Sequence, residues 1–137
     1  MIGLDTNVLV RYFTQDDPEQ AAIANAFIED ALEAGEPLLV PTIVTCELVW
    51  VLDAAYGFAR AEIGGVLADL FRTRQIELED GDTQRRALDA YRTGPGDFAD
   101  YAIRESGMAA GCDFVATFDR DLLGERGFVE PGAYPSR

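Results

Sequence analysis

Apolar residues along this chain fall into short blocks separated by longer stretches with helical spacing. Ile2 to Leu4 followed by Asp5-Thr6-Asn7 reads as a short buried strand ending in polar cap residues, and a helix through Val8, Leu9, Val10 and Tyr12 should follow. Asp16-Asp17-Pro18-Glu19 is a helix start, with an acid at the cap and proline at the first helical position. That helix should turn Ile23, Phe27 and Ala31 inward until Gly35 stops it. Pro37 to Pro41 reads as a second strand, after which Thr42 can cap a helix running through Cys46, Glu47, Val49 and Trp50 to Leu52. On this reading Glu47 lies in the second helical turn among residues that should mostly be buried.

The second half continues the alternation. Ile63, Val66, Leu67, Leu70 and Phe71 give an amphipathic helix from Arg60 to Arg72, interrupted only by Gly64-Gly65. Ile76-Glu77-Leu78 alternates as a strand, Asp82-Thr83 can cap a helix through Leu88 and Tyr91, and Gly94-Pro95-Gly96 breaks it. Asp97-Phe98-Ala99-Asp100 opens a further helix to about Gly111. Asp113 to Thr117 reads as a strand, Phe118 to Asp121 as a polar turn, and Phe128 to Glu130 as a last strand. Strands alternating with helices imply an α/β fold with a mostly parallel sheet covered on both faces, binding ligands at the carboxyl ends of its strands.

At 137 residues and 48% apolar, the chain suits a single domain over 1–137 with one core. No apolar stretch is long enough to cross a bilayer, and the N-terminal Met-Ile-Gly-Leu-Asp reaches an acid too soon for a signal peptide, so a cytoplasmic location is expected. Cys46 and Cys112 lack a CxxC arrangement and are expected to be buried structural thiols.

Two absences narrow the chemistry. The chain has no histidine, which removes Ser-His-Asp and Cys-His nucleophiles and His-ligated zinc. All eleven basic residues are arginine, which removes the Walker phosphate loop and Schiff-base chemistry. Acid-base work is left to carboxylates or to water activated by a metal. The net charge of −14 argues against a dedicated nucleic-acid binder but is weaker evidence against a nuclease, because acids gathered for a metal load the count negatively.

Four acids stand at the mouths of strands or in first helical turns: Asp5, Glu47, Asp100 and Asp119. If such positions converge at one edge of a parallel sheet, their mutual repulsion calls for a divalent cation. Each also has a plain structural role open to it. Asp5 and Asn7 could cap the first helix, Asp97 and Asp100 fit a capping pair, and Asp119 and Asp121 could be turn residues. Glu47 stands apart, because an ionised glutamate flanked by Cys46, Leu48, Val49 and Trp50 is costly to bury without arginine or a metal as partner.

Leu4-Asp5-Thr6-Asn7-Val8-Leu9, Glu47-Leu48 in an apolar helix, Asp97-Phe98-Ala99-Asp100 and Thr117-Phe118-Asp119 occur in an order and spacing that resemble PIN-domain ribonucleases, and most nearly the VapC toxins of bacterial toxin-antitoxin pairs. The resemblance spans nearly the whole chain with no departure at the acidic positions. It implies a PIN-like three-layer α/β fold in which Asp5, Glu47, Asp100 and Asp119 form an acidic pocket for magnesium or manganese. Asp97 and Asp121 would be auxiliary acids, and Asn7 or Thr117 hydrogen-bonding support. It also implies cleavage of single-stranded or loop RNA, a homodimer, and inhibition by a small VapB-like antitoxin along the active-site groove.

From the residues, Asp5 and Asp100 are expected as direct ligands, Glu47 and Asp119 as ligands or water-positioning groups. Arg11, Arg60, Arg72, Arg74, Arg85, Arg86 and Arg104 are candidate phosphate contacts, most of them expected to be plain surface charges. Two other classes stay open. A magnesium-dependent phosphotransfer or phosphatase-like protein could use Asp5, although Asn7 stands where a second aspartate is usual and lysine is missing. A non-catalytic PIN-like module would bind RNA or protein only, which the intact acids disfavour.

Overall fold

The computed structural model of the protein describes residues 1–133. Two compact units divide the chain, Met1–Gly81 and the stretch from Asp82 onward.

In the first unit β1 (Ile2–Gly3), β2 (Leu38–Val40) and β3 (Ile76–Leu78) form a parallel sheet in the order β1-β2-β3. Ile2 pairs with Leu38, and Leu38 in turn with Ile76. Parallel neighbours need a crossover. The chain supplies α1 (Thr6–Thr14) and α2 (Pro18–Ala34) between β1 and β2, then α3 (Thr42–Ala54) and α4 (Arg60–Arg72) between β2 and β3. Leu38 and Val40 on β2 are fully buried, as are Leu48 and Leu52 on α3 and Leu67 on α4. α1 therefore starts just past the carboxyl end of β1 and α3 just past that of β2, and the two starts lie side by side at one edge of the sheet.

Local chemistry sets the helix ends. Asp17 caps α2 by accepting the Gln20 N–H at 3.1 Å, Pro18 occupies the first turn, and Gly35 closes the helix at φ 71°, where a side chain is disfavoured. Thr42 is not the cap of α3 that its position suggests but the first helical residue. Pro41 precedes it, and the Thr42 N–H goes to Glu79 Oε1 at 3.0 Å.

The expected inward face of α2 is misphased. Ala21, Ala24, Ile28 and Ala31 are buried, whereas Ile23 is 65% exposed and Phe27 also faces out. α2 is apolar on two faces, and its alanine face permits the closer approach to the rest of the unit. Val66 of α4, also expected inward, is only half-buried.

The second unit contains α5 (Gly81–Thr93) from its second residue on, α6 (Phe98–Ala109), a parallel pair of β4 (Val115–Ala116) with β5 (Phe128–Val129), and a short 3₁₀ turn, Pro131–Ala133. The strands are shorter than their apolar blocks. Tyr101 is fully buried, its hydroxyl accepting the Gly96 N–H at 3.1 Å and donating to Glu125. Arg104 is buried beside Glu105 at 3.0 Å, donates to the Arg126 carbonyl, and lies over the rings of Tyr101 and Phe128.

Cys46 is buried as expected, but Cys112 is exposed, because α6 ends before it and Gly111 at φ 98° turns the chain away. Mixed α/β architecture with parallel pairing throughout is thus borne out among the described residues, and none of their helices is long and apolar enough to cross a membrane.

Candidate active site

Asp5 sits between β1 and α1 as the N-cap of α1, with extended backbone and Oδ1 accepting the Thr6 N–H at 2.8 Å. The expected capping role is real, but it occupies only one carboxylate oxygen and leaves the side chain exposed. Thr6 is buried, and its hydroxyl donates across to Glu47 Oε1 at 3.3 Å. One threonine thereby ties the starts of two neighbouring crossovers, holding Asp5 through its amide and Glu47 through its hydroxyl. Asn7 is exposed in the first turn of α1.

Glu47 is itself exposed, which overturns the expectation of a buried carboxylate. The buried residues of α3 are Val44, Thr45, Cys46, Leu48, Val49 and Leu52, so Ile43, Glu47, Trp50 and Ala54 form the opposite, exposed stripe at helical spacing. Glu47 needs no compensating charge to survive there, because water solvates its exposed carboxylate.

A groove of about 550 Å³ in the first unit opens beside Asp5. Asp5, Asn7, Val8 and Arg11 line it from α1, and Ile23 and Phe27 from α2. Arg11 is engaged within this unit: its guanidinium donates to Gln20 Oε1 at 2.7 Å and contacts Asp16 Oδ1 at 3.1 Å and the Tyr56 hydroxyl at 3.2 Å. The hydroxyls of Tyr56 and Thr14 both donate to the Asp16 carboxylate, at 2.7 Å and 2.9 Å, and these bonds, with the Arg11 charge, hold the Asp16 carboxyl below the usual aspartate range.

In the second unit Asp97 and Asp100 form the anticipated capping pair. The Phe98 N–H donates to Asp97 Oδ1 at 2.8 Å, and the Asp97 N–H donates back to Asp100 Oδ2 at 2.9 Å. Both side chains are half-buried. Asp119 lies just past β4 in a turn built from its neighbours: its N–H donates to Thr117 Oγ1 at 3.1 Å, and its Oδ1 accepts the Asp121 N–H at 3.0 Å. Thr117 therefore supports Asp119, while Asp121 supports it through backbone; both acids are exposed.

Within neither unit do three acidic or cysteine side chains of the described residues gather into a group that could hold a metal ion. The first unit contributes the Asp5–Glu47 pair, and the second contributes Asp97 with Asp100 and Asp119 with Asp121. All these donors are carboxylate oxygens, the ligand type suited to hard magnesium or manganese and not to zinc in a cysteine or histidine site. Of the candidate phosphate contacts, Arg104 is withdrawn by burial, Arg72 pairs with Asp69, and Arg74, Arg85 and Arg86 are exposed. Thr6 is not among the site residues read from the sequence, although its place directly after Asp5 is the available signal.

This chain belongs to the PIN domain family, whose model matches residues 2–126 and so runs through both units. It is similar to the VapC ribonuclease of Aquifex aeolicus (strain VF5), with 28% identity over 117 residues that cover 85% of this chain and 86% of that protein. The resemblance read from the four acidic motifs is borne out, and with it membership of a three-layer α/β family.

Proposed function

We propose that this PIN-domain protein is a metal-dependent endoribonuclease that hydrolyses RNA phosphodiester bonds in the cytoplasm as the toxin of a toxin-antitoxin pair. The carrying observation is the Asp5–Thr6–Glu47 corner, where two exposed carboxylates from neighbouring crossovers are tied together at the carboxyl edge of a parallel sheet. Similarity to a VapC ribonuclease along most of the chain supports the same reading. Asp5, Glu47, Asp100 and Asp119 would hold the ion, with Asp97 and Asp121 as auxiliary acids, the whole of 1–137 working as one domain.

Bound magnesium or manganese would polarise the phosphodiester and acidify the attacking water, which is why a chain without histidine can do this chemistry. The protein's part is positioning. The Thr6 amide and hydroxyl fix the two carboxylates of the first unit, and the capping pair and the Thr117 turn fix those of the second. The groove beside Asp5, with Ile23 and Phe27 exposed along it, suits an antitoxin segment carrying apolar side chains that would cover Asp5. A homodimer accompanies this reading, as the family resemblance implies.

The test is incubation of the purified protein with cellular RNA, with magnesium or manganese and with a chelator. Metal-dependent fragments that disappear in Asp5→Asn are expected. RNA binding with no metal-dependent product would favour the non-catalytic module.

A further inference from the structure

Among the described residues that line the groove of the first unit, Asp5 is the one acid and Arg11 the one base. Arg11 is not a loose surface charge. Its Nε donates to Gln20, and its Nη1 donates to Asp16 and to the Tyr56 hydroxyl, so three of the five N–H groups of the guanidinium are in use. Tyr56 and Thr14 in turn hold Asp16 in place. Nη2 has no partner among the described residues, and none of their buried side-chain nitrogens is left unpaired, so Nη2 meets solvent. A guanidinium fixed by three residues and open at one terminal nitrogen is arranged to receive an anion from outside.

We propose that Arg11 is a phosphate clamp, binding through Nη2 the RNA phosphate next to the one at the Asp5 ion; the nature of the strand rests on the ribonuclease reading. Asp5 caps α1 and Arg11 stands six residues later, about 9 Å of helix rise. That exceeds the width of one phosphate and lies within reach of its neighbour along a strand. Asn7, one turn before Arg11 on the same helix, also lines the groove and offers an exposed amide between the two charged groups. Asp16 offsets part of the Arg11 charge and leaves the Nη2 donors in place. An ion at Asp5 and a guanidinium at Arg11 both call for anions, and a phosphodiester strand supplies one at every step. A protein segment would need two acids at that spacing. Arg11 then aligns the strand without reading its bases.

The test uses the full-length Asp5→Asn protein, which should not cut, and a labelled single-stranded RNA of mixed sequence and roughly 12 nucleotides. Binding is followed by anisotropy in magnesium at several salt concentrations. Adding Arg11→Met should weaken binding about ten-fold and lower the slope of log affinity against log salt by about 0.7, the share of one phosphate on a single strand. Arg11→Lys should keep the slope but bind about three-fold more weakly, because one ammonium cannot serve Gln20, Asp16 and a phosphate together. Should Arg11→Met fail to fold, Gln20→Leu releases Nε and keeps the charge; binding about three-fold weaker at an unchanged slope is expected, and unchanged binding overturns the clamp. Absence of RNA binding, or an unchanged slope in Arg11→Met, overturns it too. So does displacement of the RNA by an equal charge of polyglutamate, which would mean that the site prefers the carboxylates of a protein. In the protein that retains Asp5, Arg11→Met should raise KM about ten-fold with kcat little changed. RNA cut by the wild type with KM and slope indifferent to Arg11 sinks the clamp and leaves the ribonuclease. A slope lowered by Arg11→Met in a protein whose wild type never cuts does the reverse.

Discussion

The hydroxyl of Thr6 donates to Glu47 Oε1 at 3.3 Å, joining residues 41 positions apart at the carboxyl edge of the sheet. Thr6 is buried while Asp5 and Glu47 on either side of it are exposed, so a fixed donor aims two solvent-facing acceptors. This makes Thr6 a positioning residue and not a ligand. Thr6→Val keeps the shape and removes the donor. Because the bond is long and its acceptor exposed, stability should fall by no more than about 1 kcal/mol. The magnesium concentration for half-maximal cleavage should rise several-fold, and Thr6→Ser should restore it. An unchanged metal requirement in Thr6→Val would remove the role.

Asp5 has one oxygen on the Thr6 amide and is otherwise exposed, so the cap and the proposed ligand role can be separated. Asp5→Asn retains a cap acceptor, and asparagine caps as well as aspartate. Thermal unfolding should therefore change little, while cleavage falls by at least about 100-fold, as for loss of a group that stabilises transition-state charge. The same substitution at Asp100 should behave alike. Undiminished cleavage in either variant would defeat the assignment.

Asp97 and Asp100 present a harder case, since each already has a structural task in the box that starts α6. Asp97→Ala should cost about 1 kcal/mol in denaturant unfolding from the cap alone. Asp97→Asn should restore that stability. If Asp97 is auxiliary, the Asp97→Asn variant should also keep most of the cleavage; near-complete loss in this well-folded protein would promote Asp97 to a principal ligand.

Much of this is legible in the residues. Pro18 and Gly35 bracket α2 because one lacks the N–H that a first turn leaves unpaired and the other tolerates φ 71°. The capping roles of Asp5, Asp97 and Asp100 are legible for a similar reason, since cap positions are set by local sequence. Burial is less so. The average apolarity of their helices places Ile23, Phe27, Glu47 and Trp50 inside, but both α2 and α3 are apolar beyond a single face, and only packing decides which stripe is covered. Thr42 fails as a cap because Glu79, 37 residues away, supplies the acceptor instead. Such a partner leaves no local trace.

Arg104 and Glu105 are a buried pair in which the guanidinium also meets a backbone carbonyl and two aromatic rings. Glu105→Leu would leave that charge without its counter-ion and should destabilise the protein by about 3–5 kcal/mol, while Arg104→Met with Glu105→Leu should recover most of the loss. Neither change touches the proposed acids, so cleavage measured well below the melting temperature should survive in the double variant. Denaturant unfolding of the two variants settles the matter: equal destabilisation of both would mean that the pair acts through packing rather than through charge.

The hydroxyl of Tyr56 and that of Thr14, with the Arg11 guanidinium, hold Asp16 ionised to lower pH than usual. A carboxyl depressed in the folded state stabilises the protein above its unfolded pKa, and the contribution disappears as pH falls through the folded value. The loss therefore belongs to the acid side of the ordinary aspartate range, with none expected near neutrality. Tyr56→Phe removes the largest of the three effects and should raise the pH at which this loss is complete, leaving stability at neutral pH reduced but flat. Asp16→Asn should abolish the acid-limb contribution, seen in unfolding free energy measured against pH. An acid limb identical in wild type and Asp16→Asn would show that other carboxylates govern it.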